Sequence, residues 1–396
     1  MKVWLIGVGC GDVGTMTLQA RQVLSESRLV IGAARLLESL RREYAGPACQ
    51  AVKPEEILSL LQQHRPECAS VVYSGDTGFY SGARRLIPLL EAHGIAYEVL
   101  PGISSLQYFA AKLNQPWQDW RLSSAHGVDC DPVWEVMQGK PVFFLTSGKL
   151  GAGAICRSLT EAGLGDLTVT IGTQLSYPEE RIQTASAETV SGVETDPLSV
   201  MLCQPAPKCR RLPGIPDDAF LRAEVPMTKQ EVRTAILSRL APKPEDVCWD
   251  VGAGTGSVSV ELSGWSRQVW AVERHAEARE LIQKNREKFC AWNLRLVEGT
   301  APEALEALPK PDCVFVGGSG GQLAEILETI VHRNPQARIC VSAIAIETLA
   351  TATEVMTRLG LAWEITQISV SRSRAVGSLH MMAAQNPVYL ITGGSK

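Results

Sequence analysis

Two glycine-rich elbows, each following a short apolar run, constrain this 396-residue chain more than any other feature. The first is Gly7-Val8-Gly9-Cys10-Gly11-Asp12, directly after Val3–Ile6. The second, Asp250-Val251-Gly252-Ala253-Gly254-Thr255-Gly256, follows the strand-like segment Asp246–Trp249. At each, a strand gives way to a turn whose missing side chains let backbone approach a ligand closely. Two such elbows in unlike contexts imply two separate small-molecule sites. The length, which exceeds one ordinary domain, points the same way.

Apolar runs alternate with amphipathic stretches along both halves, the pattern of α/β folds with parallel sheets and helical crossovers. In the first half Val3–Val8, Leu29–Ile31, Val71–Ser74, Tyr97–Leu100, Val142–Leu145, Val169–Thr173 and Val200–Cys203 read as strands. The stretch from Gln204 to Pro216 holds four prolines and Gly214, which forbids regular structure. The expected division is therefore a first domain over 1–206, a linker over 207–216 and a second domain over 217–396. A fresh strand–helix series fills the second domain. Its tail reads as two long strands, Trp363–Val370 and Val388–Thr392, separated by a loop.

Composition narrows the class. A hydrophobic content of 45% with 20% charged residues describes a soluble globular chain, and a net charge of −4 exerts no pull toward nucleic acid or anionic membrane. The 11 cysteines are scattered, with no C-x-x-C pair, so no zinc site is expected and reduced thiols are. The opening residues lead to the expectation of no secretory leader, and no apolar run of about 18 residues stands in the sequence. A cytoplasmic enzyme without metal, membrane or nucleic-acid partner is the expectation.

The downstream elbow places Gly252, Ala253, Gly254, Thr255 and Gly256 between a strand and the helix expected over Ser257–Leu262, where backbone N–H groups meet a polar ligand. Glu273 ends the next strand, 21 residues after Gly252, where a carboxylate accepts ribose hydroxyls. Ala301, after the following strand, is placed to meet an adenine edge. A nicotinamide dinucleotide site, and with it an oxidoreductase, shares these features. Its G-x-G-x-x-G pattern, however, needs glycine where this chain has Ser257. Asp250 and the G-x-G-x-G spacing fit S-adenosylmethionine better. A structural turn is the remaining reading.

The upstream elbow gains weight from three further breaks at strand ends: Ser74-Gly75-Asp76-Thr77-Gly78-Phe79-Tyr80-Ser81, Pro101-Gly102-Ile103-Ser104-Ser105 and Ser123-Ser124-Ala125-His126-Gly127. With these, the first half resembles the tetrapyrrole methylase family, whose members read G-x-G-P-G-D near the N-terminus, and within it the branch that methylates a corrin precursor at C5. The second half is similar to the companion branch that methylates C15 and decarboxylates an acetate arm, on a class I, Rossmann-like methyltransferase domain. The order of the halves resembles enzymes of cobalamin biosynthesis in which both are fused. The resemblance implies a tetrapyrrole-methylase fold of two α/β subdomains in the first half, and homo-oligomers. It implies a first S-adenosylmethionine site at Cys10, Gly75, Asp76, Thr77, Tyr80, Ser104, Ser105 and Thr146. The second would use Thr228, the Gly252–Gly256 loop, Glu273 and Ala301. Cys10 stands where the family has proline, which is expected to loosen that loop. Thr228 also reads as a helix N-cap.

A corrin precursor carries many carboxylates, so arginines are expected in its cleft. Arg372 and Arg374 alternate onto one face of an extended segment, as substrate ligands or as a solvated loop. Gly317-Gly318-Ser319-Gly320-Gly321 follows a strand with nearly bare backbone, which leaves room for a flat macrocycle at Gly318, Ser319 and Gly320, or is an ordinary loop. His126 is a candidate for proton handling near the macrocycle, or for a hinge hydrogen bond. Asn386-Pro387-Val388-Tyr389 resembles an amine-methylating motif but falls in the final strand and reads as structure.

Overall fold

The computed structural model describes residues 1–125, 130–146, 150–208 and 214–394. The chain divides into two compact units, Met1–Ala206 and Pro207–Lys396. The division falls in the proline-rich stretch, where fixed φ angles and missing N–H donors cannot continue a helix or a ladder.

The first unit opens with five strands: β1 (Lys2–Gly7), β2 (Leu29–Gly32), β3 (Ala48–Gln50), β4 (Cys68–Tyr73) and β5 (Ala96–Leu100). They run parallel in the order β3-β2-β4-β1-β5. Val3, Leu5, Ile31 and Val71 pack into a core on one face, and Ile6, Val30 and Val72 into a core on the other. Burial on both faces is why these strands read as continuous apolar runs. Parallel pairing also sets the ends of three neighbours side by side, with Gly7 opposite Tyr73 and Ile6 opposite Leu100.

The second sheet of this unit comprises β6 (Arg121–Ser124), β7 (Val142–Leu145), β8 (Thr168–Thr173), β9 (Arg181–Ser186) and β10 (Ser199–Cys203), ordered β6-β7-β10-β8-β9. The expectation of parallel sheets fails here, because only β6 and β7 pair that way. β9 (Arg-Ile-Gln-Thr-Ala-Ser) is an antiparallel edge strand with few apolar residues, so no apolar run announces it.

In the second unit β11 (Val247–Val251), β12 (Gln268–Glu273), β13 (Leu294–Glu298), β14 (Cys313–Val316), β15 (Arg338–Ala343), β16 (Ala362–Ile368) and β19 (Val388–Gly394) form one sheet. The order is β13-β12-β11-β14-β15-β19-β16, with β19 antiparallel to both neighbours. This is the class I methyltransferase arrangement, and its order reverses between β11 and β14, where open α/β sheets bind ligands. The expected loop before the last strand is instead a hairpin of β17 (Ser371–Val376) and β18 (Leu379–Ala384), turned at Gly377 with φ +62°. Its strands lack the β-branched alternation that signals a sheet, and all six β18 side chains are exposed.

Candidate functional site

The first site forms where the elbows after β1, β4 and β5 meet. A Cβ on Gly102 would stand 2.3 Å from Gly75 O and 2.5 Å from Gly7 O, so the three turns touch backbone to backbone. Gly9 and Gly75 exchange both backbone hydrogen bonds, at 3.2 and 2.7 Å. Asp76 fixes the same edge: its Oδ1 accepts from Gly78 N at 2.8 Å and its Oδ2 from Gly102 N at 3.1 Å. Gly7 and Gly102, which resemble loop punctuation, are thus required by close approach, and Gly75 by its φ of +71°.

Over this edge lies a cleft of about 270 Å³, lined by Cys10, Gly75, Asp76, Tyr80, Ser104 and Ser105, with Thr146 from the second sheet. Thr77 is not in the lining; its hydroxyl donates to Leu100 O at 3.2 Å. Ser104 caps the helix Ser105–Leu113 in a reciprocal box with Gln107. Cys10 N–H donates to Thr15 Oγ1 at 3.1 Å and its thiol to Ile103 O at 3.4 Å, so the loop is tied at the position where proline is missing. Burial, with Glu180 adding to it, pushes the Cys10 thiol up to about 12. It therefore remains a neutral thiol rather than a thiolate nucleophile. His126 lies outside the described residues. Arg35 and Tyr177, which no local motif marks, also line this cleft.

The second site sits at the switch point between β11 and β14, a cleft of about 890 Å³. Gly252, Ala253 and Gly254 line it. Gly252 has φ +71°, and a Cβ there would stand 2.5 Å from Gly318 O, so the elbow and the bare loop after β14 abut directly. Gly318, Ser319 and Gly320 share the lining, as do Thr228 and Ala301. Thr255 is buried beneath the loop with a hydroxyl that has no partner among the described residues. Gly256 stands at the N-cap of the helix Ser257–Ser263 and packs on Ile282. Thr228 does not cap its helix; Lys229 holds that position without a side-chain bond.

Glu273 is buried at the end of β12, its Oε2 accepting from Gly254 N and its Oε1 from His275 N, each at 2.9 Å. A carboxylate has about four lone-pair sites, so each oxygen keeps one for a ligand hydroxyl. Asp250 lies fully buried below, bonded by the Ser259 hydroxyl, with Oδ1 unpartnered. Burial raises its carboxyl to about 7, against the lowering effect of Ser259. These groups fit S-adenosylmethionine: a diol acceptor, bare backbone and a cleft of sufficient size.

Arg372 and Arg374 are absent from this lining. Arg372 grips Glu231, with Nη2 at 2.8 Å from Oε1 and 2.6 Å from Oε2, and stands 3.3 Å from Asp217 Oδ2. Arg374 is exposed on the hairpin. Among the described residues the cations that line the cleft are Lys229 and Arg274, beside His275. Asn386 also lines the cleft, so the segment read as structure alone borders the site.

Comparison with known proteins places relatives on both halves. A family model of tetrapyrrole (corrin/porphyrin) methylases matches residues 2–191, and one of the precorrin methyltransferase domain matches residues 218–392. A precorrin-6Y C(5,15)-methyltransferase [decarboxylating] from Sinorhizobium sp is 30% identical over 386 residues, covering 95% of this chain and 92% of that one. A probable cobalt-precorrin-6B C(15)-methyltransferase (decarboxylating) from Pyrobaculum calidifontis is 47% identical over 185 residues, 46% of this chain and 95% of its own. The solved structure of a precorrin-6y C5,15-methyltransferase from Geobacter metallireducens is 39% identical, covers 46% of this chain and 97% of its own, and superposes with a TM-score of 0.44.

Proposed function

Because the chain belongs to the family of precorrin-6Y C5,15-methyltransferases (decarboxylating), we propose that each of its two clefts takes one S-adenosylmethionine. The first would serve C5, and the second C15 and the decarboxylation. The chain is an S-adenosylmethionine-dependent C-methyltransferase and decarboxylase of corrin precursors in cobalamin biosynthesis. The families matched are methylases, and the dinucleotide alternative gains no support. One observation carries the division of labour: the tetrapyrrole methylase model falls on residues 2–191 and the separate precorrin methyltransferase model on residues 218–392. The Pyrobaculum relative is named for C15 methylation and decarboxylation, and it matches only a half-length segment of this chain. The full-length relative is named for both carbons.

When bound, S-adenosylmethionine supplies a methyl group on a sulfonium that already carries its leaving group, so the protein chiefly positions and desolvates. In the second cleft Glu273, aimed by two backbone N–H groups, would accept the ribose hydroxyls, with Ala301 at the adenine. Gly318, Ser319 and Gly320 leave space for the macrocycle, and Lys229 and Arg274 offer charge to its carboxylates. In the first, Asp76 presents a carboxylate fixed by Gly78 and Gly102. Cys10, held neutral, adds no competing nucleophile beside the donor. Calorimetry with S-adenosylhomocysteine is expected to count two molecules per chain, and mass spectrometry to find two methyl groups gained and one carbon dioxide lost. A single molecule per chain, or none, refutes the two-cleft assignment.

Self-association is part of the same reading. On the hairpin Leu379, Met381 and Met382 are 70, 58 and 67% exposed. A two-stranded hairpin alone is marginal in water, which supports cover by a second copy. Light scattering is expected to give a multiple of the chain mass; a monomer at micromolar concentration counts against it. Among the described residues no helix is long and apolar enough to cross a membrane, and no group of His, Cys, Asp or Glu is arranged to hold a metal.

A further inference from the structure

Arg35 is the only arginine or lysine among the described residues that line the first cleft. It stands on the short helix Ala34–Ser39, which follows β2, and its side chain is exposed. Nη1 donates to the Tyr177 hydroxyl, Nη2 lies 3.5 Å from Ser74 Oγ, and the guanidinium carbon is 5.8 Å from the centre of the Tyr177 ring. Both partners are hydroxyl oxygens. Arg21 and Arg121, elsewhere in this unit, reach Glu43 and Glu135, whereas Arg35 has no carboxylate partner among the described residues. The acid in the same wall, Asp76, is already held by the backbone of Gly78 and Gly102. A guanidinium carries five donors in a planar fork, and these contacts leave donors of Arg35 and its full charge for a ligand.

We propose that Arg35, steadied by Tyr177, binds a carboxylate arm of the tetrapyrrole in the C5-methylating cleft and so sets how the macrocycle is presented there. The inference rests on the two-cleft reading above. The donor's own carboxylate is the competing occupant. Position favours the substrate: Arg35 is exposed, whereas the residues of the proposed donor site are buried or half-buried, Ser104 and Thr146 at 3% and 4% exposed, with only Tyr80 exposed among them.

The test uses the full chain with Arg35→Ala and Arg35→Lys, following C5 and C15 methylation separately by NMR of product formed with S-adenosylmethionine labelled with carbon-13 in its methyl group. For Arg35→Ala the KM for the precorrin in C5 methylation is expected to rise about tenfold to a hundredfold, the loss of a charge-assisted bond. Arg35→Lys should fall between, because it keeps charge without the fork. S-adenosylhomocysteine should still bind twice per chain with unchanged Kd, and C15 methylation should be unaffected. An unchanged KM overturns the proposal. So does loss or weakening of one S-adenosylhomocysteine, which would assign Arg35 to the donor or to the fold. Fewer than two molecules on the unaltered chain would instead sink the two-cleft reading, whatever Arg35 does.

Discussion

Replacing Arg233 by methionine is expected to destabilise the second unit by about 3–5 kcal/mol, the usual cost of breaking a buried ion pair from one side. Arg233 is fully buried on the helix Gln230–Leu240. Its Nε donates to Glu261 Oε1 at 2.8 Å and its Nη1 to Asp217 Oδ1 at 2.9 Å, with further bonds to the carbonyls of Thr228 and Ile215. Phe220 lies under the guanidinium, 4.7 Å from its ring centre. Glu261 also accepts from the N–H groups of Gly214 and Ile215, at 3.1 and 3.2 Å. Methionine approximates the volume but leaves Glu261, itself fully buried, without its cation. Two carbonyls lose their donors as well.

The consequence reaches the cleft, because the segment that Arg233 ties down continues into Glu224–Lys229, part of its wall. Thermal unfolding should show the transition of the second unit lowered by roughly 6–20 °C, with that of the first unmoved. Donor affinity in the second cleft should fall with it. Equal stability of variant and parent would mean that the cluster is replaceable by packing alone, as some buried ion networks are.

This network marks the boundary of what local sequence discloses. Turns that need glycine are written locally, which is why Gly7, Gly75, Gly102 and Gly252 are legible as strand-end elbows before any contact is known. The same holds for Glu273, whose distance from Gly252 follows from one helix and one strand. Pairing between distant charges is not written locally. Arg372 looks like a free substrate ligand in its own neighbourhood, and only the fold brings Glu231, 141 residues away, against it. Arg35 is the converse case: a helix arginine with no motif, given meaning by Tyr177 on a different sheet's connection, 142 residues on. The hairpin β17–β18 escaped for a third reason. With every β18 side chain exposed, it shows none of the inside–outside alternation that half-buried strands display.

Glu273→Gln should cost the second cleft at least about a hundredfold in donor affinity while leaving the first cleft intact. The carboxylate now accepts two backbone N–H groups and keeps lone pairs for two ribose hydroxyls. The amide has one acceptor oxygen, so its NH₂ must face either Gly254 N–H or His275 N–H, donor against donor. Turning it the other way only moves the conflict. Hydrogen bonds to a charged acceptor are worth about 1.5–3 kcal/mol each, and two weakened together give the estimate. Titration with S-adenosylhomocysteine should fall from two sites to one in the measurable range. The product should gain a methyl at C5 and none at C15. Glu273→Asp keeps the charge but withdraws it by one methylene, and should give an intermediate loss. Were the glutamine chain to bind two molecules as tightly as its parent, the ribose would have to be held elsewhere in the cleft, and the role of Glu273 would reduce to bracing the elbow.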